Sequence, residues 1–174
     1  MGDRDDRFSA SAPESAAPGR AIAIADLAGL DALAARLAVP ARTGDTFALS
    51  GDLGAGKTAL ARAFIRALAK RENVAPPGEV PSPTFTLMQV YDIGPLEVFH
   101  FDLYRLKNAD EALELGIEDA CADGIALIEW PERLGRCLPP DRIDVGLVIT
   151  GEGSRSAEIA AHGRIRDRYR EFAA

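Results

Sequence analysis

Gly51-Asp52-Leu53-Gly54-Ala55-Gly56-Lys57-Thr58 decides the fold, because it is a complete phosphate-binding loop of the pattern G-x-x-x-x-G-K-[ST]. Its glycines open backbone conformations closed to other residues, so successive N–H groups can turn inward and cup an anion with no side chain in the way. Lys57 is expected to place its ammonium on the β- and γ-phosphates of a nucleoside triphosphate. The Thr58 hydroxyl is expected to ligate the Mg²⁺ that bridges them, and the helix starting here adds the positive end of its dipole. The flanks have the required order. Thr46-Phe47-Ala48-Leu49-Ser50 suits a short buried strand, and Leu60, Phe64 and Leu68 recur every four residues after the loop, with Arg62, Arg66 and Lys70 on another side.

The 174 residues, 47% of them hydrophobic, suffice for one substantial core and favour a single domain. A formal charge of −7 argues against gripping nucleic acid by overall field, so any RNA involvement is expected to run through a partner. Cys121 and Cys137 are too far apart for a C-x-x-C pair, and two histidines leave too few ligands for a zinc site. No apolar run approaches the ~18 residues of a membrane span, and the N-terminus lacks the basic-then-apolar order of a signal peptide. The expectation is a cytoplasmic protein with reduced thiols.

Residues 1–19, rich in Asp, Ser, Ala and Pro, read as a disordered tail. Ala21–Ile24 is a candidate edge strand. Asp26 is expected to cap a helix that presents Leu27, Leu30, Ala34 and Leu37 on one face and is closed by Pro40. Four prolines between Arg71 and Phe85 exclude regular helix. This stretch is either a plain surface loop or a nucleotide-sensing switch in which Ser82 or Thr84 meets the γ-phosphate or Mg²⁺. Thr86–Tyr91 and Leu96–Asp102 are expected to pair across Asp92–Pro95, with Leu96, Val98, His100 and Asp102 on one face. Read alone, such a histidine and strand-end aspartate are more often structural than catalytic. Asn108 and Glu111 suggest a variant capping box opening a helix to Gly116.

Gly124-Ile125-Ala126-Leu127-Ile128-Glu129-Trp130 is the second decisive stretch. An apolar run ending in an acid is how P-loop proteins bring a carboxylate beside the Mg²⁺ held by the loop hydroxyl, so Glu129 is a metal candidate and Trp130 falls near the nucleotide. Pro131–Pro140 reads as a turn-rich link, and Ile143–Ile149 with Ala157–Ala161 as a hairpin around Gly151–Ser154. Arg164, Arg166, Arg168 and Arg170 form a short basic run, ordinarily a solvated face, with docking to an acidic partner or RNA backbone as the alternative. The chain thus divides into the tail, a domain over residues 20–163 and a basic extension over 164–174.

Together, Gly-Asp-Leu-Gly-Ala-Gly-Lys-Thr at 51–58, Ser-Pro-Thr-Phe-Thr-Leu at 82–87, His-Phe-Asp-Leu-Tyr-Arg at 100–105 and Ile-Glu-Trp-Pro at 128–131 resemble the TsaE family. That family supplies the ATPase subunit of the bacterial machinery that makes threonylcarbamoyladenosine in tRNA. The resemblance runs from about Ala21 to Ala161. It implies an α/β, P-loop NTPase-like three-layer fold with a mostly parallel central sheet and antiparallel edge strands. It also implies action alongside the threonylcarbamoyl transferase subunit and its inactive paralogue, with tRNA met only through the complex and no membrane involved.

Carried over residue by residue, the resemblance gives Mg²⁺ to Thr58 and Glu129, the phosphates of ATP to Lys57, the switch to Thr84 and a requirement in hydrolysis to Asp102. The loop residues Asp52, Leu53, Gly54, Ala55 and Gly56 would surround the phosphates, with Trp130 beside the nucleotide. Arg155 is the nearest match to an arginine of the last hairpin that reaches the nucleotide in family members. The loop before Ser82 departs from the family by an Ala-Pro-Pro-Gly-like insertion. The expected activity is Mg²⁺-dependent ATP hydrolysis, weak alone and stimulated by the partners.

Two other classes use the same loop. A small-molecule kinase would need a basic lid, for which Arg133, Arg136 and Arg142 are available. A GTP-driven switch would need an Asn-Lys-x-Asp signature, of which Lys107-Asn108-Ala109-Asp110 has the first two residues reversed.

Overall fold

The computed structural model describes residues 20–172; the tail expected over residues 1–19 lies outside them. Seven strands form one sheet: β1 (Arg20–Ile24), β2 (Thr46–Ser50), β3 (Met88–Ile93), β4 (Leu96–Asp102), β5 (Ile125–Glu129), β6 (Ile143–Ile149) and β7 (Arg155–Ala161), in the order β1-β7-β6-β2-β5-β4-β3. β6, β2, β5 and β4 run parallel, while β3 pairs antiparallel with β4, β7 with β6 and β1 with β7. The expected parallel centre with antiparallel edges is what forms. β5 is buried at every position because both faces of the sheet are covered, which is why it reads as a continuous apolar run.

Strand alternation splits the core in two. Phe47, Leu49, Ile125, Leu127 and Val145 face a layer made by α1 (Leu27–Ala38) and α2 (Lys57–Arg71). Ala126, Ile128 and Phe101 face α3 (Asp110–Glu114), α4 (Ile117–Asp123) and the 3₁₀ segment Pro131–Cys137. Asp26 caps α1 as expected, its Oδ1 accepting from the Gly29 N–H at 2.8 Å. Leu30, Ala34 and Leu37 are buried, but Leu27, in the first turn, is 63% exposed.

Several boundaries differ from expectation. Leu87 takes φ +63°, so β3 starts at Met88, and Ile93 stays in the strand, leaving Gly94-Pro95 as the turn. Asn108 and Glu111 do form a reciprocal box, Oδ1 accepting from the Glu111 N–H at 3.1 Å and Nδ2 donating to Oε1 at 3.2 Å. The helix does not simply end at Gly116, however. Gly116 adopts φ +72° and a second helix, α4, follows directly.

Three of the four arginines of the basic run form the expected solvated face, but the segment that carries them is packed on the domain. Gly163–Phe172 forms a 3₁₀ segment whose Ile165, Tyr169 and Phe172 join the main core. Arg164, Arg166 and Arg170 face solvent, whereas Arg168 turns inward to Asp45, a residue only 1% exposed.

Candidate functional site

The loop Gly51–Gly56 leaves the carboxyl end of β2, and Glu129 and Asp102 stand at the carboxyl ends of the neighbouring strands β5 and β4, paired in register. Ligands of open parallel sheets sit at this edge. Gly51, Gly54 and Gly56 all have positive φ (133°, 84° and 106°), as the cradle requires. A Cβ on Gly51 would run into the Leu147 carbonyl oxygen, while one on Gly54 would meet nothing within 4 Å. Gly51 is therefore needed for packing, and Gly54 keeps the cradle's open side free of side chains. Leu53 is exposed beside it, Asp52 turns outward, and Ala55 is fully buried beneath the loop.

Lys57 and Thr58 open α2. The Lys57 Nζ donates to the carbonyls of Gly51 (2.6 Å) and Asp52 (2.9 Å) and lies 3.8 Å from the centroid of the Trp130 ring. Burial pushes the Lys57 ammonium below the ordinary lysine range, against the opposing pull of Glu129, Glu132, Asp102 and Asp52. Trp130 itself takes φ +61°, a left-handed conformation uncommon for a bulky residue, and its ring packs on Tyr104 at 4.8 Å.

Thr58 and Glu129, 71 residues apart, meet directly. The Thr58 hydroxyl is 2.8 Å from Oε1 and 3.0 Å from Oε2 of a carboxylate that is 2% exposed. A hydroxyl and a carboxylate are all-oxygen donors, the set a hard cation such as Mg²⁺ takes. Among the described residues no group of three or more His, Cys, Asp or Glu could hold a metal. A cation here would therefore complete its shell from phosphate oxygens and water.

Asp102 gathers the proline-stiffened loop. Its Oδ2 accepts from the hydroxyls of Ser82 and Thr84, both at 2.6 Å, and its Oδ1 from the Tyr104 N–H at 3.1 Å. Burial works to raise its pKa, but these three hydrogen bonds together outweigh it and hold the carboxyl below the usual range. The loop's two hydroxyls, its Asp102 anchor, Glu129, Lys57, Thr58, Tyr104, Arg105 and Trp130 line one cleft of about 420 Å³. Arg155, at the start of β7, brings its guanidinium against Gly56, 3.1 Å from where a Cβ would be.

The model of the family described as "Threonylcarbamoyl adenosine biosynthesis protein TsaE" matches residues 24–157. The chain belongs to the TsaE family. Among its relatives, a Rickettsia felis protein named tRNA threonylcarbamoyladenosine biosynthesis protein TsaE is 40% identical over 127 residues, covering 73% of this chain and 71% of that protein. A Bacillus subtilis protein of the same name is 34% identical over 133 residues, covering 76% and 79%. The solved structure of Bacillus subtilis YdiB superposes with a TM-score of 0.69 at 27% identity, covering 88% of this chain and 93% of that one.

In this TsaE-family chain, the residues singled out in the sequence gather at one edge of the sheet, with the Arg155 guanidinium against Gly56 of the loop. Three contributors carried no assigned role. His100 donates to Glu129 from within the core, Tyr104 stacks on Trp130, and Arg105 lies 4.4 Å over the exposed ring of Phe85. All three fall in the His-Phe-Asp-Leu-Tyr-Arg stretch at 100–105, and alternation along β4 places His100 two residues from Asp102 on the same face. The basic residues a kinase lid would need are elsewhere. Arg142 is held by Asp144 and the Pro139 carbonyl, and none of Arg133, Arg136 and Arg142 lines the cleft. Asn108 is taken up by its box with Glu111 rather than presented to a base.

Proposed function

We propose that the chain is a Mg²⁺-dependent ATPase serving tRNA threonylcarbamoyladenosine biosynthesis. It acts alongside the threonylcarbamoyl transferase subunit and its inactive paralogue, and its ATP hydrolysis supports repeated turnover of that complex. The observation that carries the reading is the direct bond between the Thr58 hydroxyl and both oxygens of Glu129 at the mouth of a glycine-lined loop. Family membership and the names of the relatives support the pathway. Among the described residues no helix is long and apolar enough to cross a membrane; the setting proposed is the cytoplasm.

In this reading Thr58 and Glu129 hold Mg²⁺, which when bound neutralises charge on the β- and γ-phosphate oxygens. Backbone N–H groups of residues 52–57 cup the phosphates, and Lys57 exchanges its two loop carbonyls for phosphate oxygens. That exchange moves the ammonium relative to the Trp130 ring, so indole fluorescence reports nucleotide. Asp102 is ionised at neutral pH and can accept a proton-bearing partner, while Ser82 and Thr84 tie the loop's position to it.

Thr58→Ala and Glu129→Ala are expected to lower Mg²⁺-dependent phosphate release on the order of 10²-fold, as loss of a charge-stabilising group does. An unchanged rate in both would remove the assignment. Turnover by the isolated chain should be slow and rise when the transferase pair is added. Reconstitution with tRNA and ATP, scoring modified nucleoside over repeated turnovers, tests the role. Multiple turnover without this chain would refute it.

A further inference from the structure

The Glu129 carboxylate has a second buried neighbour. His100 Nε2 lies 2.8 Å from Glu129 Oε1, with His100 0% and Glu129 2% exposed. β4 and β5 run parallel with Asp102 opposite Glu129 and His100 opposite Leu127, so the imidazole reaches the carboxylate diagonally from one pleat upstream. The acceptor is a carboxylate, which places the ring proton on Nε2. Nδ1 is buried and has no hydrogen-bond partner among the described residues. Nε2 is therefore the ring nitrogen that makes the hydrogen bond, and Nδ1 gains nothing from the fold.

An apolar side chain would fill this core position without stranding a polar atom, and among the described residues the one side-chain hydrogen bond His100 makes is to Glu129. We propose that His100 is a positioning residue that sets Glu129 for the divalent cation. This rests on the reading of Thr58 and Glu129 as the cation's holders. Oε1 takes hydrogen bonds from both Thr58 and His100, whereas Oε2 takes only the longer one from Thr58. His100 thus fixes the plane of the carboxylate and leaves Oε2 as the oxygen with the freer lone pairs.

The test uses the full chain with Mn²⁺ as the probe, read by electron paramagnetic resonance in the presence of a non-hydrolysable ATP analogue. Nucleotide affinity in EDTA is followed by Trp130 fluorescence. His100→Leu should weaken Mn²⁺ binding about 10–100-fold, the range seen when partners that orient a metal ligand are removed. Nucleotide affinity without metal should stay as in the parent. His100→Gln, which keeps an N–H donor, should recover most of the Mn²⁺ affinity; should His100→Leu fail to fold, the unbranched His100→Met takes its place with the same expectation. Parent-like Mn²⁺ affinity in the donor-less variant overturns the inference, as does an equal loss in His100→Gln. Absence of Mn²⁺ binding by the parent chain would instead remove the underlying Thr58–Glu129 reading.

Discussion

At Asp102 two opposing influences act on one carboxyl. Burial favours the neutral form, and three hydrogen bonds to the ionised form overcome it, leaving the folded pKa below the ordinary carboxylate value. The sign follows. With the folded pKa below the unfolded one, the carboxylate's contribution to stability is complete above about pH 4 and drains away as pH falls through the folded value. Asp102→Asn does not titrate and should be less stable than the parent by about 1–2 kcal/mol at pH 7, for loss of charge-assisted bonds to Ser82 and Thr84. That gap should narrow below about pH 4. Urea unfolding of both proteins at pH 7 and pH 3 measures it, and a gap independent of pH would contradict the hydrogen-bond account.

Among the elements, the C-terminal 3₁₀ segment departs furthest from its sequence reading. Arg168 donates to Asp45 through both terminal nitrogens and to the Pro40 carbonyl at 2.8 Å, and Tyr169 packs edge-on against Phe47 of β2. Removing one partner of a buried pair strands the other charge, so Arg168→Ala should cost about 3–5 kcal/mol. Arg168→Met combined with Asp45→Asn should recover a large part of that, as thermal melts of the two variants would show. Arg166→Ala, on the exposed side, should shift the melt little. Alternating charge in a short run is legible as a solvated face, but a partner 123 residues earlier is not, since neither residue carries a local mark of the pairing. The same limit applies at the site. The loop, β2, β5 and Glu129 were legible because glycine spacing and apolar runs are local signals. The ties from Ser82 and Thr84 to Asp102 and from His100 to Glu129 exist only once β4 lies beside β5. The left-handed Leu87 and the restart of helix after Gly116 likewise belong to packing rather than to residue preference.

Across the whole molecule, β2 joins two buried charge clusters of different purpose. Its amino end carries the Asp45–Arg168 pair, and its carboxyl end carries the phosphate loop with Thr58 and Glu129. Five strand residues separate them by roughly 16 Å, beyond the range at which substitutions usually interact. Ligand that binds only the folded state adds RT ln(1 + [L]/Kd), about 2.7 kcal/mol at a hundredfold excess over Kd. For a chain of this size that is an upward shift in Tm of roughly 5–10 °C. Mg²⁺ and ATP should therefore raise the melt of the parent and of Arg168→Ala by the same increment, although the two start from different baselines. In Glu129→Ala the part of the increment that depends on Mg²⁺ should vanish while the baseline moves by a different amount. Differential scanning fluorimetry with ATP plus Mg²⁺ and with ATP plus EDTA gives all these numbers. If Arg168→Ala lost the ligand increment as Glu129→Ala does, the two ends of β2 would not be independent, and the C-terminal segment would have to be counted among the determinants of the nucleotide site.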